Sequence, residues 1–260
     1  MSTTARILFA TSEVAPFARV SDMADYLRTV PEYLNEQGLF ESRIMMPRYG
    51  TISERKNRLH EVIRLSGSTV KVGDVTETLK VKVASIPGVR MQVYFTDSVK
   101  YFKRKGIYHN RKTEAEFTDN PERAYLFAEA VIDTARKLGW GPKIVHAHGW
   151  LASMVPALLK LKYADDPLFA DARVIYTTDG VERPDQLTPA NVEALGLPDD
   201  SRLHTLPVGD LGPAFADLVL HDAALGETPA GATELAEAGD ARNEQIASLY
   251  SDLVNLQNAA

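Results

Sequence analysis

Apolar and polar positions fall into two rhythms along this chain. A short apolar run, Ile7-Leu-Phe-Ala10, meets Thr11 and Ser12 and passes into a loop carrying Glu13, Pro16 and Arg19. From Ser21 and Asp22 onward, Met23, Tyr26, Leu27, Val30 and Leu34 recur at helical spacing, which predicts an amphipathic helix with a polar start. Pro31 lies inside that pattern and predicts a kink or a break; Gly38 closes it. Residues 43–46 read as a second strand, running into the turn Pro47-Arg-Tyr-Gly50. Residues 60–65, 69–75, 79–84 and 89–95 are short, rich in Val and Ile, and separated by Ser66-Gly67, Gly73-Asp74 and Pro87-Gly88. They read as hairpins, hence an antiparallel insert or a mixed extension of the sheet.

The second half alternates helix and strand. Residues 97–101 read as a short helix, followed by a basic and aromatic stretch from residue 101 to residue 109, read as a solvated loop in preference to a ligand-binding one. A strong helix starts at Asn120 and stops at Gly139. A buried strand (143–150), a helix (151–163) and a further strand (173–180) follow. Residues 181–213 carry five prolines and read as a long loop with short helical pieces. A last strand is expected at 215–220 and a terminal helix over 231–258. The alternation implies parallel strands joined by right-handed crossovers. The expectation is one α/β domain over residues 1–260: a Rossmann-like, three-layer unit with a mostly parallel sheet and an antiparallel hairpin insert.

Composition narrows the function only modestly. Of 260 residues, 45% are hydrophobic and 25% charged, an ordinary globular balance. The formal net charge of −6 offers no basic excess to neutralise phosphates, so nucleic acid is not an expected partner. The absence of cysteine excludes disulfides, thiolate nucleophiles and cysteine metal sites. No signal peptide and no membrane-length apolar run is readable, so the expected location is the cytoplasm. No nucleophile triad, Walker loop or Rossmann glycine fingerprint is present, and no catalytic residue, metal ligand set or cofactor is assigned.

The chemistry is expected where strands end. A strand, a loop and a helix start place polar groups at the carboxyl edge of a parallel sheet, where open α/β folds bind ligands. Glu13 is an active carboxylate or a loop-capping acid. Arg19 binds an anion or pairs with Asp22 or Asp25. Arg48 and Tyr49 line a groove or tie their own loop together. His146 and His148 alternate on one strand face; a packed or hydrogen-bonded pair is the ordinary reading, and a metal pair lacks an evident third ligand. Trp150 stacks on a sugar face or fills the core. Asp179 stands in the loop after the next strand.

Three segments together resemble the N-terminal half of bacterial glycogen synthases and plant starch synthases: Thr11-Ser-Glu-Val-Ala-Pro-Phe17, Met46-Pro-Arg-Tyr-Gly50, and Ile144-Val-His-Ala-His-Gly-Trp150. Smaller echoes are Gly106-Ile-Tyr108, Asp119-Asn-Pro-Glu-Arg123, Leu195-Gly-Leu-Pro198 and Ala216-Asp217. The resemblance covers most of residues 5–220. It implies half of a two-lobed GT-B glucosyltransferase, which moves glucose from ADP-glucose or UDP-glucose to the 4-hydroxyl of an α-1,4-glucan, with retention and without a catalytic metal or prosthetic group. In such enzymes the second lobe holds most of the nucleotide sugar. The first lobe supplies acceptor-glucan contacts and a few groups near the donor. On this sequence Glu13, Arg19, Asp25, Arg48, Tyr49, His148, Trp150 and Asp179 become the candidate ligand-binding residues.

The resemblance has four departures. The family's Lys-Thr/Val-Gly-Gly-Leu-Gly-Asp-Val loop becomes Arg19-Val-Ser-Asp-Met-Ala-Asp-Tyr26. All three glycines are replaced, and Asp22 adds negative charge where a pyrophosphate would sit. His-Asp-Trp-His becomes His148-Gly-Trp-Leu151, and Thr-Ile-His-Asn becomes Thr177-Thr-Asp-Gly180. The fourth is that the sequence stops where a second lobe would begin. The expectation is therefore a synthase-like lobe without transferase activity of its own. The alternatives are a module binding sugar, nucleotide or protein, and a half-enzyme completed by a separately encoded partner. A protein partner or a homodimer is expected to cover the face that would meet the second lobe.

Overall fold

The computed structural model describes residues 4–180 and 185–259. In chain order its elements are β1 (Ala5–Thr11), α1 (Met23–Glu36), β2 (Phe40–Pro47), α2 (Glu54–Asn57), β3 (His60–Glu61), β4 (Thr69–Val72), β5 (Val75–Thr78), β6 (Lys80–Ser85) and β7 (Gln92–Asp97). There follow α3 (Asn120–Leu138), β8 (Ile144–His148), α4 (Met154–Leu161), β9 (Arg173–Thr177), α5 (Pro189–Ala194), α6 (Arg202–Thr205) and α7 (Val208–Phe215). The chain then forms β10 (Leu218–Asp222), β11 (Thr233–Leu235) and α8 (Asp240–Ala259).

One sheet has the order β11-β10-β9-β8-β1-β2-β7-β6-β3. It is parallel from β11 to β7, with β6 and β3 antiparallel at one end. The β4–β5 hairpin forms a separate two-stranded unit. The expected insert thus supplies both an antiparallel extension and an independent hairpin. The chain runs from β1 outward through β2 and β7, then returns to β8 on the other flank of β1. The strand order reverses between β1 and β8, which opens a crevice at their carboxyl ends.

Helices on both faces account for the burial of the central strands, including polar positions such as His146 and His148. All five residues of β8 are buried, as a two-sided parallel strand requires. On one face α3 packs on α4 and α4 on α7; on the other α1 packs against α8.

Several expectations are corrected. α1 runs unbroken through Pro31: Leu27, Val30 and Leu34 are fully buried on either side of it, and their packing outweighs one missing backbone bond. Residues 97–101 form no helix. Asp97 ends β7, and the chain folds into a turn in which the N–H of Phe102 reaches the carbonyl of Ser98. The stretch 101–109 is only partly solvated: Tyr101, Phe102 and Tyr108 are buried, while Arg104 lies over Phe117. The last-strand expectation at 215–220 shifts to β10, because α7 continues to Phe215. The terminal helix starts at Asp240 rather than residue 231, since Thr233–Leu235 pairs with β10 as an eleventh strand. Within 181–213, residues 181–184 lie outside the described residues, and the remainder carries α5, α6 and most of α7. α5 starts with a reciprocal cap between Thr188 and Asn191.

Candidate functional site

The carboxyl ends of β9, β10 and β11 and the first turn of α1 enclose a cavity of about 280 Å³. Ser21, Asp22 and Tyr26 form one wall, Thr177 to Asp179 a second, and Asp222 and Arg242 a third; Met23, Leu225 and Leu235 supply apolar surface. Arg242 comes from α8, and its cationic head is already engaged. Its Nη1 lies 2.6 Å from Asp222 Oδ2 and its Nε donates to the Ala236 carbonyl at 2.8 Å. Three carboxylates therefore face one committed arginine. Such a lining accepts hydrogen bonds from hydroxyl groups and repels phosphate.

The loop from β1 to α1 is held by Glu13, a buried residue. Its carboxylate accepts hydrogen bonds from the backbone N–H groups of Val20 and Ser21, the latter at 3.0 Å, and from the Ser21 hydroxyl at 2.6 Å. These two amides stand just before Asp22, the N-cap of α1, and the helix-start amides of Met23, Ala24 and Asp25 reach Ser21 Oγ, the Ser21 carbonyl and the Asp22 carbonyl. An internal carboxylate thus closes the loop that leads into the helix. Arg19 and Asp25 pair with each other on the exposed side of the same loop.

Arg48 and Tyr49 are buried. Arg48 pairs with Glu54, and Lys82 bridges Glu54 and Asp97 at 2.8 Å each. Tyr49 donates its hydroxyl to the Ser12 carbonyl at 2.9 Å, and burial raises its phenol pKa well above the ordinary value. Tyr49 ties the β2 turn to the β1 loop and Arg48 ties it to α2, on the far flank from the cavity.

His146 and His148 point to the α1–α8 face with ring centroids 3.8 Å apart. The Nδ1 of His146 meets the Tyr250 hydroxyl, and its Nε2 lies 2.7 Å from Thr177 Oγ1. His148 is fully buried between Phe9 and Tyr26, and among the described residues neither ring nitrogen has a hydrogen-bond partner. Burial pushes its pKa down to about 3, and burial together with His148 lowers that of His146 well below the ordinary value. Both are neutral at pH 7. Among the described residues, no group of three or more histidine, aspartate or glutamate side chains is arranged to hold a metal ion.

Trp150 is fully buried and packs edge-on to Tyr108. Its backbone N–H donates to Asp179 Oδ2 at 2.8 Å. The same carboxylate explains Gly149, whose φ is +72°. A Cβ there would stand 3.0 Å from Asp179 Oδ2 and 3.3 Å from Ser12 Oγ. The acid of the motif position at 149 is thus replaced by one arriving from the neighbouring strand. Leu151 is fully buried in the core.

Of the eight sequence candidates, Asp179 lines the cavity; Glu13, Arg19, Asp25, Arg48, Tyr49, His148 and Trp150 do not. Asp222 carried the same strand-end signal as Asp179 and could have been found. Tyr26 was hidden in the apolar stripe of α1. Arg242 reaches the cavity from 220 onward only through the fold of the terminal helix, and no local pattern marks it.

Comparison with known proteins places these features in context. Residues 6–212 match the family model described as the starch synthase catalytic domain. The chain is 40% identical over 220 residues to a glycogen synthase of Chlorobium limicola, covering 82% of this chain and 45% of that one. It is 41% identical over 201 residues to a glycogen synthase of Chlorobium phaeovibrioides, covering 76% and 41%. The chain spans just under half the length of these relatives. In fold it is similar to the catalytic domain of starch synthase IV from Arabidopsis thaliana, bound to ADP and acarbose, with a TM-score of 0.66, 19% identity, and coverage of 84% and 45%. No helix among the described residues is long and apolar enough to cross a membrane.

Proposed function

This chain belongs to the starch synthase catalytic domain family, and we propose that it serves the glucan-facing side of a nucleotide-sugar-dependent α-1,4-glucan glucosyl transfer without performing that transfer by itself. The observation that carries the reading is the closed loop into α1, where Glu13 holds the amides of Val20 and Ser21 and the amides of Met23, Ala24 and Asp25 are bonded to Ser21 and Asp22. Departure of a nucleoside diphosphate requires positive charge or free N–H donors aimed at it. Here those donors are engaged, Arg19 is committed to Asp25, and the cavity beyond carries Asp22, Asp179 and Asp222.

The same lining suits a sugar. Carboxylates accept hydroxyl hydrogen bonds, and Met23 and Leu225 offer apolar surface to the C–H face of a ring. The glycogen synthase relatives support an α-glucan as that sugar. A second lobe, on the same polypeptide or another, would supply the donor grip. Val20, Val99 and Leu225 support this, since they stand exposed in loops that follow the carboxyl ends of β1, β7 and β10.

Calorimetry with maltohexaose, ADP-glucose and UDP-glucose, together with a glucose-transfer assay, tests the reading on the 260-residue chain. The expected result is saturable maltohexaose binding that Asp179→Ala weakens, with no transfer from either donor. Glucose transfer by the pure chain overturns the claim of inactivity. Failure to bind maltohexaose overturns the assignment to the glucan side.

A further inference from the structure

A second concave surface lies on the other side of α1 from the carboxylate-lined cavity. It is a groove of about 800 Å³ between α2, the β6–β7 turn and the loop that carries Phe17. Lys56, Arg58, His60 and Arg90 line it, with the amide of Asn57 and the hydroxyl of Ser85 among them. Among the described residues, no carboxylate belongs to its lining. In a chain of net charge −6, this local excess of at least three positive charges stands against the background.

The excess arises from how α2 is seated. Its single acid, Glu54, turns inward and is neutralised by Arg48 and Lys82. Its cations are left facing out. Among the described residues, the side chains of Lys56, Arg58 and Arg90 make no ion pair. Arg58 also holds a left-handed backbone, with φ +53° and ψ +40°, as the residue that closes α2. Glycine or asparagine adopts that conformation readily, and a long side chain does so against a steric bias.

The remaining walls are firm. Phe17 forms part of the floor and packs edge-on to Phe95 with centroids 5.0 Å apart. Arg28 of α1 donates to the Pro87 carbonyl at 3.2 Å and steadies the β6–β7 turn. Beyond Arg90 lies a second hollow, in which Glu32 and Glu36 stand. These acids bound the cationic surface on that side.

We propose that this groove binds a small phosphorylated sugar, with Lys56, Arg58 and Arg90 on the phosphate and the Ser85 hydroxyl and Asn57 Oδ1 on the hydroxyl groups, the Asn57 Nδ2 being held by the Ser53 carbonyl. The size falls within the ~300–1,000 Å³ of small-molecule sites. The overall negative charge and the flanking Glu32 and Glu36 disfavour a long polyanion, which would have to continue past them. A guanidinium pair binds a phosphate dianion through several charge-assisted hydrogen bonds.

The test uses the whole chain and glucose 1-phosphate as the probe, in calorimetry at low and at physiological salt. Saturable binding in the micromolar to low-millimolar range is expected, weaker as salt rises. The double substitution Arg58→Ala/Arg90→Ala is expected to weaken it at least tenfold, with an unchanged melting temperature because both side chains are exposed. Lys103→Ala/Lys105→Ala, on an exposed loop outside the groove, is expected to leave it unchanged. The proposal is overturned by no saturation at 10 mM probe. It is also overturned by equal loss in the Lys103/Lys105 variant, or by inorganic phosphate binding as tightly as the sugar phosphate. Tighter binding of a single-stranded RNA decamer, lost in the Arg58/Arg90 variant, would assign the groove to a different class of partner and overturn it as well.

Discussion

The Glu13 carboxylate receives both the backbone N–H and the hydroxyl of Ser21, at 3.0 and 2.6 Å. One acid thereby fixes the loop that enters α1. Glu13→Ala is expected to lower stability by about 1–3 kcal/mol, the usual loss when part-buried donors are stranded. Amide exchange at Val20 and Ser21 should accelerate in the same variant. Urea denaturation and hydrogen-exchange mass spectrometry measure the two effects.

The two stacked histidines should make the protein acid-sensitive. In the unfolded chain both imidazoles titrate near ~6.5. In the native state burial keeps them neutral, His148 down to about pH 3. Below pH ~6.5 the unfolded chain binds protons that the native state refuses. Stability therefore falls with decreasing pH, by up to about 1.4 kcal/mol per pH unit for each histidine. Denaturant melts at pH 7, 6 and 5 give the slope, and a flat profile would contradict the native burial of neutral imidazoles.

The same pair separates two kinds of buried polar group. His148 has no hydrogen-bond partner, so His148→Leu is expected to leave stability at pH 7 unchanged or raise it by up to about 2 kcal/mol, and to reduce the acid slope. His146 serves Tyr250 and Thr177. His146→Leu strands both hydroxyls, and a loss of about 2–4 kcal/mol is expected at pH 7. Equal effects of the two substitutions would show that packing alone governs this layer.

Restoring the motif acid at position 149 should harm the fold. Gly149→Asp would place a Cβ 3.0 Å from Asp179 Oδ2, on a backbone with φ +72°. A drop of at least ~2 kcal/mol is expected from crowding, like charge and strain together. Adding Asp179→Gly should recover part of it and leave the backbone share. Thermal melts of the single and double variants decide; additivity of the two changes would mean that the carboxylates do not meet.

Restoring the motif histidine should fail for a different reason. Leu151 is fully buried, so Leu151→His puts an imidazole into the core without a partner. A loss of about 2–5 kcal/mol is expected, with no gain of glucose transfer. Transfer by this variant alone would show that the loop can reorganise to present the side chain.

Much of the framework was legible in the chain because it is written locally. The apolar run before Thr11, the helical spacing from Met23 and the stop at Gly139 each need only neighbouring residues. Pro31 misled because its effect was judged on the helix alone, whereas the buried Leu27, Val30 and Leu34 decide it. The turn after Asp97 and the strand at Thr233–Leu235 were missed for a related reason: three residues become a strand only when an existing edge, here β10, supplies the hydrogen bonds.

The sequence by itself determined the α/β class, the family likeness carried by its strand-end motifs, and the loss of the glycines at residues 21, 22 and 24. Those follow from residue identity and periodicity. Only the tertiary structure decided that Glu13 fills the amides beside those positions, that Asp179 takes the space next to Gly149, and that Arg242 closes the cavity from α8. Each of these joins groups supplied by different parts of the fold, and a carboxylate's role depends on which donor the packing brings within 3 Å of it.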